Sequence, residues 1–230
     1  GSLPNAPRLV VPSPDLKGLR VALSVDLGFF AVDAEVKART REAARRLEDA
    51  GAKVEEVQLP WKESSLVGFD HHYNAEMAYS LGLLLAHCRG ELTDYAISLI
   101  EQGQRVTGVQ VQQVRESRAE LWQELQPIFE RFQLLLCPTT AVPSVAAEHS
   151  ILGPSLQIEG RAVSPHRGWT MTWPFNLLST CPVLAMPSGL STSGVPTGVQ
   201  LVGRPFDEET TIRAGAALTQ PRELVWPLHT

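Results

Sequence analysis

A protein hydroxyl attacks an amide carbonyl only if a positioned base takes its proton and fixed donors hold the oxyanion that forms. The chain has four lysines, Lys17, Lys37, Lys53 and Lys62, and one adjacent serine pair, Ser64 with Ser65. That pair lies between Glu63 and Leu66 and reads as a helix cap. GLSTSG, residues 189–194, comes nearest to a nucleophile elbow, but its spacing is not Gly-x-Ser-x-Gly and it falls in a predicted hairpin turn. No serine is assigned as a nucleophile. His71 and His72 are neighbours, so on a helix they point about 100° apart and cannot share one metal ion. His149 and His166 fall in a long loop where they can line a pocket, without further ligands at metal spacing. Glu91 with Asp94, and Asp207 with Glu208 and Glu209, sit at predicted helix starts, where negative charge complements the helix dipole. The expectation is therefore no catalytic residue, no metal and no cofactor within this chain.

Composition narrows the partners. At 230 residues, 43% hydrophobic and 20% charged, the chain can bury a sizeable core. A net charge of −5 excludes general attraction to nucleic acid or an anionic membrane surface. No apolar run approaches the ~20 residues of a membrane helix, and no signal-peptide pattern opens the chain, so a cytoplasmic protein is expected. Cys88, Cys137 and Cys181 have no CxxC spacing and read as small buried hydrophobes in a reducing compartment. Gly1 and Ser2 resemble a cloning scar, and Pro4, Pro7, Pro12 and Pro14 mark residues 1–15 as an extended linker ahead of one domain, 16–230.

The elements that must carry any site follow from periodicity. Leu19 to Val25 alternates as a strand, DAEVKARTREAARRLEDA from Asp33 to Ala50 is a helix that stops at Gly51, and Lys53 to Leu59 is a second strand. Strand, helix, strand over about forty residues predicts a βαβ unit with two parallel strands. A helical block runs from about Ser64 to Arg131, broken near 89–91 and 103–108. Its apolar stripes are Met77, Leu81, Leu84 and Leu85; Ile97, Leu99 and Ile100; and Val111, Val114, Leu121, Leu125, Ile128 and Phe129, all expected to pack inward. FQLLLC, 132–137, is a buried strand ending against Pro138. The stretch from Thr139 to Gly168 shows no clear periodicity and is expected to be a long functional or mobile loop. A short helix near Trp169–Ser179, a strand CPVLAMP, a turn through Gly189–Pro196, a partner strand TGVQLVG and a last helix from Glu208 to Leu218 complete the chain.

Three segments in this order resemble the amidase signature family, whose members hydrolyse or transfer the nitrogen of small amides. LKGLRVALSVDLGFFAVDAEVKARTREAARRLEDAGAKVEEVQLP, residues 16–60, is similar to the βαβ unit that follows the family's catalytic segment. LLLCPTTAVPS, 134–144, is similar to its strand ending in Pro-Thr. The most specific is TWPFNLLSTCPVLAMPSGLSTSGVPTGVQLVGRPFDEETTIRAGAAL, 172–218, with Pro-x-Asn, Pro-x-x-x-x-Pro, Gly-x-Pro-x-Gly-x-Gln and Gly-Arg.

The resemblance implies an α/β fold, a mixed sheet covered by helices forming part of the amidase signature architecture. It also implies a lysine, a middle serine and a nucleophilic serine on a glycine-rich loop, and none of these matches a position in this chain. The chain therefore reads as the C-terminal portion of an amidase acting on a small amide, inert alone; the alternative is a non-catalytic binding or assembly module, and either way a homodimer or association with a missing N-terminal segment is expected. The same resemblance places Trp173, Phe175 and Asn176, with the Pro138–Thr139 corner, near the substrate pocket. Core packing for Trp173 and Phe175, and a turn role for Asn176, remain open alternatives. Trp169 stands where glutamine-dependent tRNA transamidases of the family carry an acidic residue, which favours a general amidase.

Overall fold

The computed structural model describes Ser13 and residues 15–219, without the side chains of residues 65–67. Apart from Ser13 and Asp15, the expected 1–15 linker lies outside the described residues. The chain opens with β1 (Arg20–Leu23), α1 (Ala34–Asp49) and β2 (Lys53–Glu56). Asp33 caps α1 by accepting the Glu35 N–H at 2.8 Å, which satisfies one of the free donors of the first turn. β1 and β2 pair in parallel, as the βαβ reading requires.

The helical block resolves into α2 (Val67–Cys88), α3 (Asp94–Gly103) and α4 (Gly108–Arg131). Thr93 caps α3, and Thr107 with Gln110 forms a reciprocal capping box at α4, so both expected breaks are helix starts fixed by threonine. β3 (Leu134–Pro138) then runs parallel to β1 and antiparallel to β7 (Pro196–Gly203), which pairs with β6 (Val183–Leu190). The sheet order is β2-β1-β3-β7-β6. α6 (Glu208–Leu218) closes the described chain, capped by Asp207.

β3 sits at the middle of the sheet and is buried along its whole length. Alternate side chains enter opposite layers: Leu134 and Leu136 meet α1 and α6 through Ala43, Leu47 and Ala214, while Leu135 and Cys137 join the layer of α4 that holds Leu121, Leu125 and Phe129. A strand covered on both faces has no use for polar residues, which explains an unbroken apolar run in place of alternation.

Three expectations change. The 139–168 stretch is not free of regular structure: β4 (Leu156–Ile158) and β5 (Arg161–Val163) form a hairpin whose two-residue turn, Glu159-Gly160, has both φ angles positive, at 49° and 74°. Strands of three residues are too short to show alternation, and the turn pair Glu-Gly lacks the usual Asn or Asp. Leu84 and Val111, assigned to inward stripes, are exposed. α2 is apolar around much of its circumference, so periodicity could not select its buried face. Of the cysteines only Cys137 is fully buried, with Cys88 and Cys181 partly exposed.

α2 and α3 touch backbone to backbone. A Cβ built at Gly103 would stand 1.8 Å from the Asn74 carbonyl oxygen and 2.7 Å from the Ala78 Cβ, so only glycine permits this approach.

Leu135 is fully buried in the central strand. Leu135→Ala should lower unfolding stability by about 2–5 kcal/mol in urea denaturation, with little change in the transition's denaturant sensitivity.

Candidate functional site

The site is built where β3 ends. Gln200, fully buried on β7, donates from Nε2 to the carbonyls of Pro138 and Met171, both at 2.9 Å. Residues 139–141 and 169–171 are tied by backbone bonds: Met171 N–H to the Thr139 oxygen at 2.9 Å and Ala141 N–H to the Trp169 oxygen at 2.7 Å. This strap delivers the chain into α5 (Trp173–Leu178), with Pro174 in its first turn.

Trp173, nearly buried, packs against Phe69 with ring centroids 5.1 Å apart and against Phe30 at 6.3 Å, and its Nε1–H donates to the Arg167 carbonyl at 3.2 Å. The Arg167 guanidinium lies over the Phe69 ring at 4.5 Å and the Tyr73 ring at 5.4 Å, and pairs with Asp70. Tyr73 and Tyr95 share a hydroxyl–hydroxyl hydrogen bond of 3.0 Å, and the His166 ring stands edge-on to Tyr95 at 5.8 Å. Of these, Asp70, Tyr95, His166, Arg167 and Trp173 line a cleft of about 820 Å³ between the helical block and the loop before the strap. A smaller cavity of about 80 Å³ shares Glu63, Ser164, Arg167 and Trp173 with it.

Burial pushes the Tyr95 hydroxyl up to about 12, aided by its bond to Tyr73, so it is a neutral donor at physiological pH. Burial, and then the Arg167 charge, lower the His166 pKa against the opposing pull of Asp70. Desolvation also lowers Arg167, which Asp70 counters. The cleft thus presents one largely buried cation, Arg167, beside neutral aromatic and hydroxyl groups, with the charges of Glu63, Asp70 and Arg105 exposed.

Of the four residues singled out in the sequence, Trp173 lines this cleft. Thr139 is half-buried at the end of β3, its N–H bonded to the Gly198 carbonyl at 3.0 Å. Phe175 is buried against Trp61, ring centroids 5.4 Å apart, and Asn176 is exposed on α5, its carbonyl accepting the Ser179 hydroxyl. His166 lines the cleft, whereas the His149 ring meets the Pro165 carbonyl at 2.7 Å. Asp70, Tyr73, Tyr95 and Arg167 carry no motif; they meet only because α2, α3 and the 139–168 segment converge. Ser191 and Ser193 bond each other in the β6–β7 turn, and among the described residues no lysine side chain hydrogen-bonds a serine.

A family model described as Amidase matches residues 11–212. The chain belongs to the amidase signature family. It is 30% identical over 204 residues to an acylamidase of Rhodococcus erythropolis, covering 88% of this chain and 42% of that protein. It is 28% identical over 204 residues to an amidase of Pseudomonas putida, with the same coverage of each chain. Among solved structures, a bacterial aryl acylamidase of the amidase signature family superposes with a TM-score of 0.77 at 25% identity, over 89% of this chain and 44% of that one. This amidase-family chain spans less than half the length of the relatives it matches. The mixed sheet with helices on both faces is accordingly the part of the amidase signature fold that those relatives share with it.

Two measurements check the site's construction. Gln200→Leu removes the donor to two buried carbonyls and should cost about 2–6 kcal/mol in urea unfolding, at about 1–3 kcal/mol for each orphaned group. His166 binds a proton less readily folded than unfolded, so its contribution to stability is present above the ordinary histidine range near 6.5 and is lost as pH falls below it. The denaturation midpoint should therefore drop less between about pH 7.5 and about pH 5 in His166→Gln than in the parent chain.

Proposed function

We propose that this chain is the C-terminal portion of an amidase-type hydrolase that cleaves C–N bonds of small amides without metal or organic cofactor. The observation that carries the reading is the extended match to less than half of each relative, in a chain whose described residues offer no lysine-fed serine. The nucleophile, middle serine and lysine then belong to the rest of the enzyme, and this portion supplies part of the sheet, the helical cover and one wall of the substrate pocket. Trp173 forms that wall, and Thr139, Phe175 and Asn176 are the further positions that would complete the pocket in the whole enzyme. No described helix is long and apolar enough to cross a membrane. Three cysteines outside any disulfide support placing the protein in the reducing cytoplasm.

A second reading, as an assembly module, rests on a separate observation. β6 is an edge strand with Val183 and Leu190 exposed, and beside its start lies an apolar groove of about 590 Å³ lined by Trp122, Leu178 and Pro205. At its rim Phe206 is 93% exposed and held at φ 65°, a conformation rarely adopted by a residue with a side chain. An open strand edge with apolar groups around it favours association with a second copy or with an N-terminal amidase segment.

Hydrolysis of an acyl anilide by the purified chain should stay at the buffer rate. Turnover that a serine-directed sulfonyl fluoride abolishes would overturn the first reading. Size-exclusion chromatography with light scattering should show association; a clean monomer that binds little apolar dye counts against the second.

A further inference from the structure

The Arg167 guanidinium is an unusual group to find on the floor of a cleft. Its side chain is 15% exposed, while that of its ion-pair partner, Asp70, is 54% exposed and hence well hydrated. Asp70 meets the guanidinium at its Nε edge, and among the described residues neither terminal Nη donates a hydrogen bond. The guanidinium lies over the rings of Phe69 and Tyr73, contacts that stabilise its charge but supply its N–H groups with no oxygen acceptor. A cation removed from water and only partly compensated favours a further anion, and a planar fork of N–H donors matches a carboxylate.

The surroundings narrow the ligand further. His166 and Tyr95 are neutral near pH 7 and add no second buried charge. The other carboxylate of the cleft, Glu63, is exposed at its rim. Leu99, Val106 and Trp173 give the cleft an apolar wall suited to an aromatic or short aliphatic body.

We propose that Arg167 is an anion receptor in this cleft and that the cleft takes small ligands whose aromatic or short apolar body carries a carboxylate. The assignment rests on the reading of the cleft as the substrate cavity and adds to it a substrate class: amides bearing an acidic group, with small carboxylic acids as ligands of the same site. Asp70 occupies one edge of the receptor in the free chain and competes with the incoming carboxylate.

Isothermal titration of the full chain at low ionic strength with benzoate and with its neutral counterpart benzamide tests this. Benzoate should bind about tenfold more tightly, the margin by which a charge-assisted hydrogen bond exceeds a neutral one. Arg167→Met, shown to be folded by circular dichroism, should abolish that preference. Asp70→Asn should tighten benzoate binding several-fold, a gain that a purely structural ion pair would not produce. Equal affinity for the two ligands overturns the anion receptor but leaves the cleft as an amide cavity. Preference surviving in Arg167→Met, weaker benzoate binding in Asp70→Asn, or no saturable binding of either ligand also overturns it, whereas the acyl anilide assay decides the amidase reading separately.

Discussion

One carboxamide holds the site side of this molecule together. Gln200 reaches from β7 to the last carbonyl of β3 and to the carbonyl of Met171, joining the central strand to the strap that leads into α5. In the interior neither carbonyl can turn to water instead, so the bond is worth far more as a constraint than its modest net energy suggests. Because the strap is fixed at Met171, Trp173 enters α5 beside Phe69, and Phe69 in turn provides the ring over which Arg167 lies. The cleft wall is therefore anchored, through two short links, in the most deeply buried strand of the sheet.

The other wall comes from elsewhere in the chain. Tyr95 opens on α3, Asp70 and Tyr73 lie on α2, and the three meet Arg167 and His166 from the loop before the strap. Burial raises the Tyr95 hydroxyl and lowers His166, so both stay uncharged and Arg167 is the largely buried charge of the cleft. A largely buried cation set beside aromatic rings can orient a ligand and does not by itself break a bond. It suits a portion of an amidase whose matched relatives extend well beyond the region they share with this chain.

Legibility in the sequence follows the range of the interactions. The βαβ unit, the two breaks in the helical block, the buried strand read at 132–137 and the β6–β7 hairpin are written in local period and in breaker residues, and the structure has them within a few residues. The β4–β5 hairpin escaped because three-residue strands have no period to show, and the exposed Leu84 escaped because α2 is apolar on more than one side. The cleft was the least visible part. Trp173 drew notice through the family-like segment around it and His166 as a loop histidine, but Tyr73, Tyr95 and Arg167 lie 22 and 72 residues apart along the chain, with no pattern linking them. Tertiary convergence, which no local signal reports, makes them neighbours.

The hydrogen atom that serves as the side chain of residue 103 acts as a spacer of minimum thickness between α2 and α3. Because Tyr73 and Asn74 are consecutive on α2 and Tyr95 begins α3, the distance between those two helix axes also sets the aperture of the cleft between the tyrosines. A single methyl group at that seam would act as a wedge, parting the hydroxyl pair and widening the cavity without altering any residue that faces it.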